Sequence, residues 1–117
     1  MRKLLSIAFL LIFVAACRNS DKPDYVISED QLVTILVDIH ITEGIASSLP
    51  IPYDSSQVVY SLLEKEVFEK HEVSDSVFTQ SLLFYLKDPQ LMDEVYGRVV
   101  DSLSKKQTIQ AAEQQIK

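Results

Sequence analysis

Cysteine occurs once in this chain and glycine twice. A lone cysteine cannot close an internal disulfide, so any fold must hold without covalent staples. Two isolated glycines leave no Gly-rich phosphate-cradling loop, and there is no serine elbow either. No apolar–polar alternation lasts long enough to mark a strand. Basic residues are in deficit: eleven Lys and Arg stand against seventeen Asp and Glu, a net charge of −6. Such a surface repels phosphate backbones, which excludes nucleic acid as a partner. There is no internal repeat and no low-complexity block. Gly44 and Gly97 both fall inside helical patterns, where glycine costs about 1 kcal/mol relative to alanine. Close packing would justify Gly97; tolerated drift is the simpler account.

What the chain does carry begins at its first residues. Arg2 and Lys3 give a positive start, and Leu4 to Val14 form an apolar run broken only by Ser6. Val14-Ala15-Ala16 then leads into Cys17. This is the layout of a secretory signal peptide over residues 1–16, too short for a permanent membrane span. The small residues before the lone cysteine resemble a bacterial lipobox, which implies acylation of Cys17 as the first mature residue. Several acyl chains on one residue give stable attachment where a single chain is marginal. Arg18 in place of aspartate after the cysteine points to the outer membrane. The expectation is a lipid-anchored protein of the bacterial cell envelope, with the membrane as its first partner. Loss of Arg2 and Lys3 with the leader leaves nine basic against seventeen acidic residues, a charge of −8. Residues 17–27, polar from Arg18 to Asp24 and containing Pro23, read as a tether.

The mature chain has 101 residues, enough for one domain. Its spacing predicts an all-α bundle of four helices near 28–48, 55–71, 75–87 and 89–112. Ser28-Glu29-Asp30-Gln31 forms a capping box at the first start. Leu32, Ile35, Leu36, Ile39 and Ala46 follow as a stripe, widened by Val33, Val37 and Ile41. Pro50 and Pro52 end that helix. Asp54 or Ser55 is the expected cap of the second, with Gln57 completing a box. Ser74-Asp75 opens the third helix, which the apolar Leu83 and Phe84 suggest is surrounded. Asp88-Pro89 opens the fourth. The predicted core is Leu32, Leu36, Ile39, Leu63, Val67, Phe78, Leu82, Tyr85, Val95, Val99 and Leu103. The domain proper is expected over 28–104, with residues 105–117 a polar helical extension that frays.

One polar cluster stands out in Asp38-Ile39-His40-Ile41-Thr42-Glu43. At 100° per residue Glu43 falls at the azimuth of Leu32 and Leu36, inside the apolar stripe. A buried carboxylate needs a partner. His40, three residues away, is the nearest; Tyr60, Tyr85 or Tyr96 could also donate. The first reading is a satisfied network that fixes helix register. The alternatives are a small-ligand pocket, a metal site or a weak hydrolase centred on His40 and Glu43, with His71 a third ligand if two helix ends meet. A His-x-x-Glu spacing alone is weak for a metal, and no cofactor is expected. His71, at a helix C-terminus, suits the dipole and reads first as a capping or packing residue.

Three stretches resemble a family of small lipoproteins from Bacteroidetes-type bacteria classed only as a domain of unknown function. They are Ile35-Leu36-Val37-Asp38-Ile39-His40, Val67-Phe68-Glu69-Lys70-His71 and Phe84-Tyr85-Leu86-Lys87-Asp88-Pro89. The family pattern is a helix with Asp-Ile-His followed by Glu, then a helix ending in Lys-His-Gly-Val. Asp38, His40, Glu43 and His71 match those places. Glu72 stands where the family has glycine, which weakens the case for a left-handed cap. The resemblance implies location and fold and adds no mechanism. The functional expectation is a non-enzymatic, membrane-tethered interaction module with an envelope protein as partner.

Overall fold

The computed structural model describes residues 22–116 together with Met1 and Lys3. The leader and Cys17 lie outside the described residues. Four helices follow one another: α1 (Glu29–Ser48), α2 (Tyr53–Lys70), α3 (Asp75–Leu86) and α4 (Pro89–Ile116). They form an all-α bundle in which α1 packs against each of the other three. Among the described residues no helix is long and apolar enough to cross a membrane.

Three of the four starts follow from short polar side chains. Ser28 Oγ accepts from the Gln31 amide at 3.1 Å, and Ser74 Oγ accepts from Val77 at 3.1 Å. Asp88 Oδ1 accepts from Leu91 at 3.1 Å, with Pro89 as the first helical residue. The box expected at α1 is only half made. Gln31 does not reach back; its amide nitrogen lies 3.5 Å from the His71 carbonyl at the far end of α2. The start of α2 differs too. Pro52 is its N-cap, without a side-chain bond, and Asp54 lies inside the first turn. Proline's fixed φ already points the chain into a helix, so no Asp54 or Ser55 cap is needed.

Helix α2 ends in a left-handed turn. Glu72 adopts φ 55°. Its amide donates to Glu69 O at 3.1 Å, and Val73 N donates to Phe68 O at 3.0 Å. These are the two bonds of a Schellman motif, and Val73 and Phe68 supply its apolar contact in the core. The left-handed cap therefore forms with glutamate, and not glycine, at the left-handed position. A Cβ in this region costs about 1–2 kcal/mol. Glu72→Gly is expected to stabilise the fold by about 1 kcal/mol, raising the denaturation midpoint at unchanged slope. A lower midpoint would mean that the Glu72 side chain contributes more than its backbone costs.

The core joins all four helices and the segment before them. Leu32, Ile35, Val95, Val99 and Ser81 are almost wholly enclosed. Phe68 and Phe78 meet at 5.1 Å between ring centroids and join α2 to α3. Of the expected core, Ile39, Leu82 and Leu103 pack against it only in part, and Leu63 is half-buried. Val26 and Ile27, read as the end of a tether, are core residues. The packed unit thus starts before Ser28. Helix α3 is not the surrounded one: Leu83 and Leu86 are exposed and only Phe78, Ser81 and Tyr85 are buried. That role falls to α1, buried at Leu32, Val33, Ile35, Leu36 and Val37 on nearly all sides. The expected fraying tail is helix as far as Ile116, with every side chain from Ser104 to Ile116 exposed. Neither glycine is held by packing, since a Cβ built at Gly44 or Gly97 meets nothing within 4 Å.

Candidate functional site

The four polar residues singled out by the sequence do not form one cluster. Helical geometry puts Asp38 and His40 about 200° apart on α1, so they face different neighbours. Asp38 faces the C-terminus of α2 and meets His71 there. His71 Nε2 donates to Asp38 Oδ2 at 2.8 Å, and Lys70 Nζ donates to the same oxygen at 2.9 Å. Lys106 Nζ, from α4, approaches Oδ1 at 3.8 Å. The carboxylate and imidazole are 14% and 13% exposed, while both lysine heads reach solvent.

This arrangement settles the charge of Asp38. Burial alone would raise its pKa, but the hydrogen bonds from Lys70 and His71 and the nearby charges of Lys70 and Lys106 outweigh burial. The net result lies below the ordinary carboxylate range, so Asp38 is ionised at neutral pH. A single carboxylate thereby ties together α1, the end of α2 and α4. His71, read as a capping or packing residue, is indeed the C-cap of α2, and its side chain is also the partner of Asp38. Spacing could not reveal the pair, because 33 residues separate its members.

His40 and Glu43 sit elsewhere, and the expectation of a buried Glu43 is overturned. Its side chain is 63% exposed, and its contact with His40 Nδ1 spans 3.7 Å, too long for a hydrogen bond. The reason lies in how burial changes along α1. Leu32 and Leu36 share Glu43's azimuth but lie two to three turns earlier, where the helix is wrapped. Around residue 43 the buried positions are Thr42 and Ala46 alone. A wheel projection superimposes the two halves and hides this. His40 is half-buried, its ring 6.5 Å from that of Tyr96. Tyr60 and Tyr85 have other partners: Tyr60 donates to Glu64 Oε2 at 2.6 Å, and Tyr85 to the Ile27 carbonyl at 2.8 Å.

Beside Glu43 a cavity of about 340 Å³ opens between the end of α1 and the start of α2, lined by Ala46, Ser47, Tyr53, Ser56, Gln57 and Tyr60 as well. A shallower groove of about 350 Å³ runs further along the same two helices past Asp38, Thr42, Leu63 and Lys70. Among the described residues no group of three or more His, Cys, Asp and Glu side chains is placed to hold a metal ion.

A residue that sequence reasoning missed is Ser81. It is fully buried, and its hydroxyl accepts from the Ile27 amide at 3.1 Å. The signal was available: Phe78, Ser81 and Tyr85 share one face of α3, so a serine stands inside an apolar stripe. Ser81 and Tyr85 together hold both polar groups of the Ile27 peptide. Arg98 of α4 plays a similar part at the surface, pairing with Glu29 and Asp30 in the first turn of α1. Tyr96, also on α4, lies beside His40 near the middle of α1.

Neither the curated proteins nor the solved structures contain a match to this chain. The model of one family, described as Domain of unknown function (DUF4296), matches residues 23–109, three quarters of the chain and all of the packed core, and the chain belongs to that family.

Proposed function

We propose that this protein is a lipid-anchored lipoprotein of the bacterial envelope, held at the outer membrane, whose helical domain is a non-enzymatic interaction module. The observation that carries the anchoring is Cys17, alone in the chain and preceded by Val14-Ala15-Ala16. The family match starts six residues later, at residue 23, and the first core side chain is Val26. Nine residues of chain span at most about 30 Å, so lipid on Cys17 would hold the domain close to the headgroups. The module reading is supported by the use the fold makes of its polar residues. Asp38 and His71 tie helices together, and Ser81 and Tyr85 hold Ile27.

Cys17→Ser tests the anchor. The variant is expected to lose acyl labelling, to accumulate as unprocessed precursor, and to leave the membrane-lipid fraction. Normal labelling and fractionation of the variant would end the lipoprotein reading. Crosslinking in intact envelopes tests the module. A stoichiometric protein partner is expected, with calorimetry against divalent metals flat; tight metal uptake abolished by His40→Ala would favour a metal-binding domain instead.

A further inference from the structure

We propose that the cavity between the end of α1 and the start of α2 is a binding site for an organic cation, a primary ammonium or guanidinium group. The argument rests on which hydrogen-bonding groups remain free there. Ser47 Oγ already donates to the Glu43 carbonyl at 2.7 Å, and Tyr60 Oη donates to Glu64 at 2.6 Å. Each hydroxyl has spent its only proton, so both face the cavity as acceptors. The Glu43 carboxylate is an acceptor by nature, and at 3.7 Å His40 leaves its lone pairs free. Tyr53, largely exposed at the mouth, adds an aromatic ring beside the site. Tyr53, Ser56 and Gln57 are the lining side chains that can also donate, and each carries an acceptor oxygen as well. A group rich in N–H and without acceptors fits such walls.

The charges around the cavity sum to a negative field. The C-terminus of α1 presents the negative end of its dipole with no basic residue in the last turn. The N-terminus of α2 opposes it with about half a positive charge, and Asp54 in that first turn offsets this. Glu43 adds a full negative charge. Tyr60's pKa is raised by burial and by Glu64 and Glu43, so the hydroxyl keeps its proton and its bond to Glu64. A volume of about 340 Å³ is at the small end of ligand pockets and suits a side-chain-sized group. The inference deepens the module reading, since a lysine or arginine of a basic partner carries the same chemistry as a free amine.

The test uses the full chain in detergent micelles, followed by two-dimensional NMR at the Gln57 side-chain amide and the Ser56 and Glu43 backbone amides. Three probes are titrated at matched ionic strength: butylammonium chloride, a short neutral-backbone peptide with one lysine, and sodium butyrate. Saturable shifts confined to the cavity are expected with butylammonium, with the peptide, or with both. The first pattern identifies a free amine as sufficient; peptide binding alone identifies a partner's side chain. Glu43→Gln should weaken binding about tenfold or more at an unchanged melting temperature, because the side chain is exposed. Tyr53→Ala, also exposed, should weaken it less. No shift with either cation, equal shifts with butyrate, or full binding to Glu43→Gln would overturn the proposal. Failure here leaves anchoring at Cys17 and crosslinking to a partner untouched, and either of those can fail while the cavity still binds.

Discussion

Asp38→Ala is expected to destabilise the domain by about 2–3 kcal/mol. The change removes the acceptor shared by His71 and Lys70 and strands a half-buried imidazole. The lysines contribute little of this, since their heads reach solvent and exposed ion pairs are worth about 0–1 kcal/mol. Lys106→Ala should therefore be nearly silent, whereas His71→Ala should approach Asp38→Ala. Asp38→Asn keeps the shape and one acceptor and should lie between. The dependence on pH has a definite sign. The Asp38 pKa is depressed in the folded state, so its contribution is fully present above the ordinary carboxylate value of about 4. It is lost as pH falls through the lower folded value. Urea midpoints taken from neutral to acid pH should show wild type and Asp38→Ala far apart at neutrality and converging below the carboxylate range. Parallel curves would mean that Asp38 holds the helices through packing and not through charge.

This tie also shows what sequence reasoning can and cannot reach. Helix positions were legible because their causes are local. Ser28, Ser74 and Asp88-Pro89 act on amides within three residues, and each starts its helix where expected. The apolar ridges of α4 were legible for the same reason, and Val95 and Val99 are core. Asp38 and His71 were each singled out, yet as members of the wrong set. Their pairing depends on α2 returning antiparallel to α1 by just enough turns to bring residue 71 beside residue 38. Nothing in the spacing fixes that register.

Glu43 marks the opposite failure, where a local rule was trusted too far. A helical wheel assumes that the neighbours of a helix are the same along its whole length. In α1 they are not: the first half is enclosed and the second is buried at Thr42 and Ala46 only. The structural role assigned to Glu43 therefore passes to Asp38. What remains at Glu43 is an exposed carboxylate on a cavity rim, and Glu43→Leu should now leave stability nearly unchanged.

The second large effect is expected at the joint between the packed domain and the residues that precede it. Ser81→Ala leaves the Ile27 amide buried without an acceptor, and Tyr85→Phe leaves the Ile27 carbonyl without its donor. Both sites lie in the core, where each unmet group costs about 1–3 kcal/mol. For a domain of this size 1 kcal/mol lowers the melting temperature by about 4–8 °C. The two losses should not add. Once either bond is broken, Val26 and Ile27 can lift from the core, and the second substitution then removes a contact already lost. A double-mutant cycle should accordingly show coupling of about 1 kcal/mol or more, with the double variant less damaged than the sum. Hydrogen exchange at Ile27 gives an independent readout. In wild type its amide should be as protected as the core of α1. In Ser81→Ala it should exchange by local opening, while Leu36 keeps its protection. Strict additivity of the two losses with Ile27 still protected would mean that Val26 and Ile27 are held by apolar burial alone.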